Sequence, residues 1–244
     1  MKQLETNPAF GQILARAALF TFEDFWHFKT QPFKQKAKRE IRYVELEGRP
    51  FFLKKYYEVP WWKRSEAETE WEGAFQLLKE GFSVPLPVAF GREVRFLSGR
   101  AFTMFQAAPG RRAEDCLREA LNPELVWNLA RVAGRFHAAG FSHQDFYLCH
   151  FFWAAQEKRL TIIDLGRLRK APSPRKRWVI KDLAELFYSV RQTLSPSDQR
   201  RFEQIFWNEY RHWLPWVQEQ GFYKAIERKI RRIAQHDAKL KASN

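Results

Sequence analysis

Two aspartates stand in settings suited to chemistry. Asp145 lies in Phe141-Ser142-His143-Gln144-Asp145-Phe146-Tyr147-Leu148-Cys149-His150, and Asp164 closes the apolar run Leu160-Thr161-Ile162-Ile163 just before Leu165-Gly166. Phosphoryl transfer is a chemistry such a set would serve. Its transition state spreads negative charge, so it needs one carboxylate beside the attacking hydroxyl and others around a divalent cation. Asp145 fits the first task, and Asp164 with His150 fits the second.

The spacing supports that division. Asp145 precedes His150 by five positions, the separation of the catalytic Asp from the metal-binding Asn in the kinase pattern H-R-D-L-x-x-x-N. Nineteen positions separate Asp145 from Asp164, room for two short strands and a turn. Phe151-Phe152-Trp153 and Leu160 to Ile163 read as those strands, with Gln156-Glu157-Lys158-Arg159 as the exposed turn. Such a hairpin would set both carboxylates on one side of a cleft.

The words around these residues are more specific than the spacing. His137-Ala138-Ala139-Gly140 leading into the Asp145 stretch, then Ile163-Asp164-Leu165-Gly166-Arg167, Arg177-Trp178 and Lys181-Asp182-Leu183 resemble the bacterial lipopolysaccharide core heptose kinases. These belong to the lipopolysaccharide kinase and Kdo kinase superfamily, and the resemblance runs from about Glu40 to about Tyr188. It implies an α+β, protein-kinase-like fold of two lobes. The first, residues 1–105, would be a small antiparallel sheet with one helix; the second, residues 106–244, would be mainly helical. It further implies ATP and magnesium as co-substrate and cofactor, and a heptose of the lipopolysaccharide inner core, linked to lipid A, as acceptor. Phosphorylation of another sugar (Kdo or an aminoglycoside-like molecule) and a catalytically silent binding module are the rival readings.

In the first lobe, Ile41 to Gly48 and Arg49 to Tyr56 alternate about a Glu47-Gly48 turn and read as a hairpin. Lys54 then occupies the place of the Lys in V-A-I-K that grips nucleotide phosphates. The bland alternative is an ordinary strand lysine. Lys55 competes by one position, but alternation sends the two side chains to opposite faces. Ser65 to Glu80 reads as a helix with Trp71, Ala74, Phe75 and Leu78 along one stripe. By the resemblance Glu70 pairs with Lys54, while Glu66, Glu68 and Glu72 are the alternatives that would face solvent. No G-x-G-x-x-G precedes Lys54. The turn in its place is Lys34 to Arg39, so cationic side chains there are candidates to hold phosphates. Residues 1 to about 35 carry little functional signal beyond a short helix around Phe10 to Ala18 and an extended segment after it.

In the second lobe, Asn122-Pro123 opens a helix that runs to Gly140, and His137 near its end reads as a structural histidine. His150 in the Asn position is open to two uses, metal contact or a hold on a phosphate oxygen, because imidazole suits hard magnesium less well than a carboxamide oxygen. Asp182 either braces the catalytic loop or serves a helix N-terminus. Arg167 to Arg177 is a proline-stiffened basic segment, either a solvated loop or a contact for anionic groups of the acceptor.

The formal net charge is +14, which draws the chain toward polyanions. Nucleic acid is not expected, since no aromatic-basic recognition motif accompanies the charge. An anionic membrane surface is. Tyr223 to Lys241 has a basic amphipathic pattern that either packs on the large lobe or lies on a bilayer, and Trp61-Trp62 beside Lys63-Arg64 is a second candidate for interfacial contact. Cys116 and Cys149 make no disulfide framework, and the N-terminus lacks the basic start and apolar run of a signal peptide. The expected location is cytoplasmic, peripheral at the inner face of the cytoplasmic membrane.

Overall fold

The computed structural model describes residues 2–94 and 98–242. The chain divides into two compact units, Met1–Ala108 and Pro109–Asn244. In the first, six strands form one antiparallel sheet: β1 (Lys2–Thr6), β2 (Gln31–Lys36), β3 (Arg39–Leu46), β4 (Arg49–Val59), β5 (Pro87–Glu93) and β6 (Gly99–Gln106), in the order β1-β5-β6-β4-β3-β2. The turn between β3 and β4 places both Glu47 and Gly48 at positive φ, 51° and 70°. That conformation matches the twist of a tight hairpin, so the register is fixed from Leu46↔Arg49 to Arg39↔Tyr56.

Both faces of this sheet are covered. Two six-residue helices, α1 (Gly11–Arg16) and α2 (Phe22–His27), lie on one face, where Phe10, Ile13, Leu14, Phe22 and Phe25 join Val44, Phe51, Leu53, Phe102 and Met104 in a common core. The short helix expected around Phe10 to Ala18 is α1, so the lobe-level expectation of one helix is incomplete by α1 and α2, of which only α2 is new. A helix as short as α2 carries too few turns to show a period, and it rests on a capping box between Thr21 and Asp24. The segment expected to be extended after Ala18 contains that second helix.

Helix α3 (Glu66–Lys79) takes the other face, started by a Ser65–Glu68 capping box. Its buried residues include Ala67, Glu70, Trp71, Ala74 and Leu77, and Ala67 and Trp71 share a core with Tyr56, Val59, Phe90 and Ala101. The buried stripe is rotated from the expected one: Phe75 is exposed and Leu77 is inside. Glu70 rides on the buried stripe, whereas Glu66 and Glu72 face solvent and Glu68 is half-buried.

The second unit is mainly helical: α4 (Ala113–Glu119), α5 (Pro123–Ala138), α6 (Lys176–Thr193), α7 (Pro196–Tyr210) and α8 (Gln220–Ala242). Small ladders hold its loops. Strands β9 (Phe151–Ala154) and β10 (Arg159–Ile162) form the expected hairpin, and β7 (Arg111–Arg112) pairs with β9. Strand β8 (Phe141–Ser142) pairs with β11 (Arg169–Lys170). Asn122 caps α5 by accepting from the Glu124 and Leu125 amides at 3.0 and 3.1 Å.

Candidate active site

In the first unit, alternation along β4 separates Lys54 from Lys55. Lys54 Nζ donates to Glu70 Oε1 at 2.5 Å. The other carboxylate oxygen of Glu70 accepts from Tyr56 OH at 3.1 Å and Thr103 Oγ1 at 3.2 Å. Both oxygens are thus engaged, which holds the ammonium in one place without reorganisation. Lys55 points to the opposite face and donates to the Trp26 carbonyl at 2.6 Å. Burial there, reinforced by Arg42 and opposed by Glu40, draws its pKa below the ordinary lysine value.

In the second unit, Asp145, His150 and Asp164 come together, each with a ligand atom within 4.8 Å of the others'. Helix α5 delivers the chain through Gly140, at φ 81°, where a Cβ would sit 2.1 Å from the Ala171 carbonyl oxygen. Glycine is required by both the conformation and the close approach. The loop then reaches Asp145, and a 3-10 turn at Leu148–His150 folds the imidazole back. His150 Nδ1 donates to the Asp145 backbone carbonyl at 2.7 Å, which leaves Nε2 3.8 Å from Asp164 Oδ2. The Ile163 amide donates to the His150 carbonyl at 2.9 Å, so the β9–β10 hairpin returns the chain beside its starting point. Gln144 and Asp164 both occupy the left-handed region, φ 69° and 61°. Each costs on the order of 1–2 kcal/mol for a residue with a Cβ, and each adjoins or belongs to the cluster.

Helix α6 braces this loop through its buried polar stripe. Asp182 Oδ2 accepts from the His143 amide at 2.7 Å and Oδ1 from the Gln144 amide at 3.0 Å. Glu185 accepts from the Phe146 amide and Ser189 from the Leu148 amide, both at 3.0 Å. Lys181 donates to the Gln144 carbonyl at 2.5 Å and also pairs with Glu185. The loop's backbone is therefore satisfied by side chains instead of by a ladder. Because α6 begins at Lys176, Asp182 sits well inside it, and service to the helix N-terminus is set aside. His137 is fully buried, with Nδ1 2.7 Å from Tyr210 OH and Nε2 3.3 Å from Asp182. It acts as a structural histidine.

Sequence reasoning singles out neither Glu185 nor Ser189, and Lys181 enters it only as part of Lys181-Asp182-Leu183. Their signal was present: Asp182, Glu185 and Ser189 recur at helical spacing within an apolar-periodic helix, where a polar stripe would mark a face that meets backbone donors.

The electrostatics divide the cluster's roles. Burial works against charge on His150, but its contacts with Cys149, the Asp145 carbonyl and Asp164 outweigh that and raise its pKa to about 9. His143 goes the other way: complete burial, with His150 adding to it, lowers its pKa, and Nε2 donates to the Ile163 carbonyl at 2.9 Å. The donor set fits a divalent cation, since two carboxylates converge and hard magnesium takes oxygen ligands. His150 can join as a ligand only by giving up its ring proton, because a metal-binding imidazole is neutral.

The basic run from Arg167 is partly spent on local packing. The guanidinium groups of Arg169 and Arg177 lie over the Trp178 ring, 5.0 and 4.0 Å from its centroid, and Lys170 Nζ lies 3.9 Å from that of Phe141. Lys176 pairs with Glu219. In α8, Phe222, Ile226 and Ile230 are buried, and Asp237 accepts from Tyr188 OH at 2.7 Å, so the helix packs on α6 as far along as Asp237 while Leu240 stays exposed. Trp61 and Trp62 are 57% and 70% exposed, on a loop whose Pro60, Trp61 and Lys63 carbonyls all accept from Arg92 Nη2. No helix among the described residues is long and apolar enough to cross a membrane.

A sequence model of the lipopolysaccharide kinase (Kdo/WaaP) family matches residues 28–206. The chain is 27% identical over 205 residues to the lipopolysaccharide core heptose(I) kinase WaaP of Pseudomonas aeruginosa, spanning 68% of this chain and 72% of that protein. To the protein of the same name from Escherichia coli it is 26% identical over 220 residues, 76% of this chain and 80% of that one. A solved structure of WaaP in complex with acyl carrier protein superposes with a TM-score of 0.70 at 25% identity, over 94% of this chain and 98% of that one.

Proposed function

The chain belongs to the lipopolysaccharide kinase (Kdo/WaaP) family, and from that premise we propose that it transfers the γ-phosphoryl group of ATP to a heptose hydroxyl of the lipopolysaccharide inner core. Phosphoryl transfer to a sugar hydroxyl is the activity of the family; heptose is the acceptor named for its curated relatives. The observation that carries the proposal is the meeting of Asp145, His150 and Asp164 on a loop braced by α6.

Asp145, whose carboxylate is one-third exposed, orients the acceptor hydroxyl and takes its proton as the bond to phosphorus forms. Asp164 would hold magnesium, and His150 would complete the cation site as a neutral imidazole. A bound magnesium supplies charge neutralisation at the phosphate oxygens. Lys54, fixed by Glu70, holds phosphates of the nucleotide. An acceptor anchored in lipid and a donor made in the cytoplasm place the reaction at the inner face of the cytoplasmic membrane, with the enzyme peripheral. Trp61 and Trp62, beside Lys63 and Arg64, are the exposed apolar side chains suited to that contact.

The test supplies ATP and magnesium with three acceptors: deacylated core oligosaccharide carrying unphosphorylated heptose, a Kdo-only glycolipid, and an aminoglycoside. Mass spectrometry should find one added phosphate on the heptose of the first. Phosphate on either of the others alone would overturn the heptose assignment.

A further inference from the structure

We propose that Lys34, in register with Lys54, and Lys36, one rank further along the same face, grip the triphosphate of the nucleotide in place of a glycine-rich loop. This deepens the kinase reading above and rests on it. Antiparallel pairing puts directly opposed residues on one face of a sheet. Lys34 opposes Ile41, which opposes Lys54; Lys36 opposes Arg39, which opposes Tyr56. Lys54 and Tyr56 both contact Glu70 of α3, so all six residues belong to the face that carries the Lys54–Glu70 pair. A β-bulge between Pro32 and Lys34 sets this register. Without it the lysines would fall on the opposite face.

Successive ranks on this face differ in chemistry. One is aromatic: Phe33 and Tyr43 both meet the Phe52 ring edge-on, at centroid distances of 5.1 and 5.9 Å. The next two, Lys34–Ile41–Lys54 and Lys36–Arg39–Tyr56, carry four cations. A nucleotide has the matching order, a flat base at one end and a polyanion at the other. Neighbouring strands lie about 4.8 Å apart, so Lys34 and Lys54 are about 10 Å apart at their backbones. Two lysine side chains can converge across that gap on a chain of phosphates.

Among the described residues, two of these four cations are paired with carboxylates of α3 and two are not. Lys36 and Arg39 are opposed cations, an arrangement that disfavours folding. Arg39 has Glu66 at 3.5 Å and Lys54 has Glu70, whereas the exposed Lys34 and Lys36 meet no carboxylate among the described residues. Lys38, at the tip of the same hairpin, pairs with Glu58 at 2.6 Å and lies outside this grip. Helix α3 packs on β5 and β6, and Phe33 is 55% exposed. Backbone amides grip phosphate through oriented donors; lysine does so as a mobile point charge, which suits a hairpin without glycine.

Calorimetric titration of the full chain with ATP and with adenosine tests this. Lys34→Ala and Lys36→Ala should each weaken ATP binding about tenfold, the loss of one charge-assisted contact, and leave adenosine binding unchanged. Lys38→Ala should bind both ligands as the unsubstituted protein does. All three lysines are exposed, so unchanged thermal midpoints will confirm folding. If the Lys34→Ala, Lys36→Ala double variant binds ATP undiminished while Lys54→Ala does not, the proposal is wrong and the kinase reading stands. If the unsubstituted protein does not bind ATP, both fall.

Discussion

Asp145→Asn is expected to lower kcat by a factor of about 10²–10⁴, with little change in thermal midpoint or in the KM for ATP. The substitution keeps the size of the side chain and removes the group that accepts the acceptor's proton. Stability should be unaffected because the Asp145 carboxylate is one-third exposed, and the loop around it is held by backbone bonds to α6. The backbone carbonyl of Asp145, which orients His150 at 2.7 Å, remains in Asn. Steady-state kinetics on the core acceptor separates the two parameters. A raised KM with unchanged kcat would assign Asp145 to uniform binding instead of chemistry.

Asp182→Ala has the largest expected effect on the fold, a loss of about 3–5 kcal/mol. Asp182 is fully buried and accepts from two successive loop amides, with His137 at 3.3 Å. Truncation leaves two buried N–H groups and an imidazole without their acceptor. For a chain of this size the midpoint should fall by roughly 6–20 °C, and kcat should fall with it as the loop loosens. Asp182→Asn keeps one acceptor oxygen but presents a donor to the other amide, so it should fall between. Thermal denaturation of the three proteins checks the order. A midpoint for Asp182→Ala equal to the unsubstituted value would show that the loop does not depend on this brace.

The parts of the site that could be read in the sequence are those written locally. Asp145 to His150 is one turn of chain, Asp164 ends the next hairpin, and strand alternation alone separates Lys54 from Lys55. Glu70 could be chosen from four glutamates only through the resemblance, since the stripe expected on α3 differs from the buried one, which runs through Ala67, Trp71 and Ala74. The supports were harder to see. Glu185 and Ser189 serve amides 39 and 41 residues away, and nothing in their neighbourhood names those partners. Strand β1 pairs with β5 across most of the first unit, a long-range contact with no periodic signal of its own. Of the two short helices that cover the sheet, α1 falls within the one read around Phe10 to Ala18, while α2 is hidden for want of length, and the exposed Phe75 shows that helical spacing alone does not fix which side of a helix is buried.

On the proposed mechanism the Asp145–His150–Asp164 cluster is where the reaction's divalent cation is held. Electron paramagnetic resonance of Mn²⁺ standing in for magnesium, with a non-hydrolysable ATP analogue present, measures this directly in the unsubstituted protein and in Asp164→Asn, since Asn tolerates the left-handed backbone at φ 61°. One immobilised Mn²⁺ per chain is expected in the former and a marked loss in the latter. Equal Mn²⁺ binding by both proteins would contradict it.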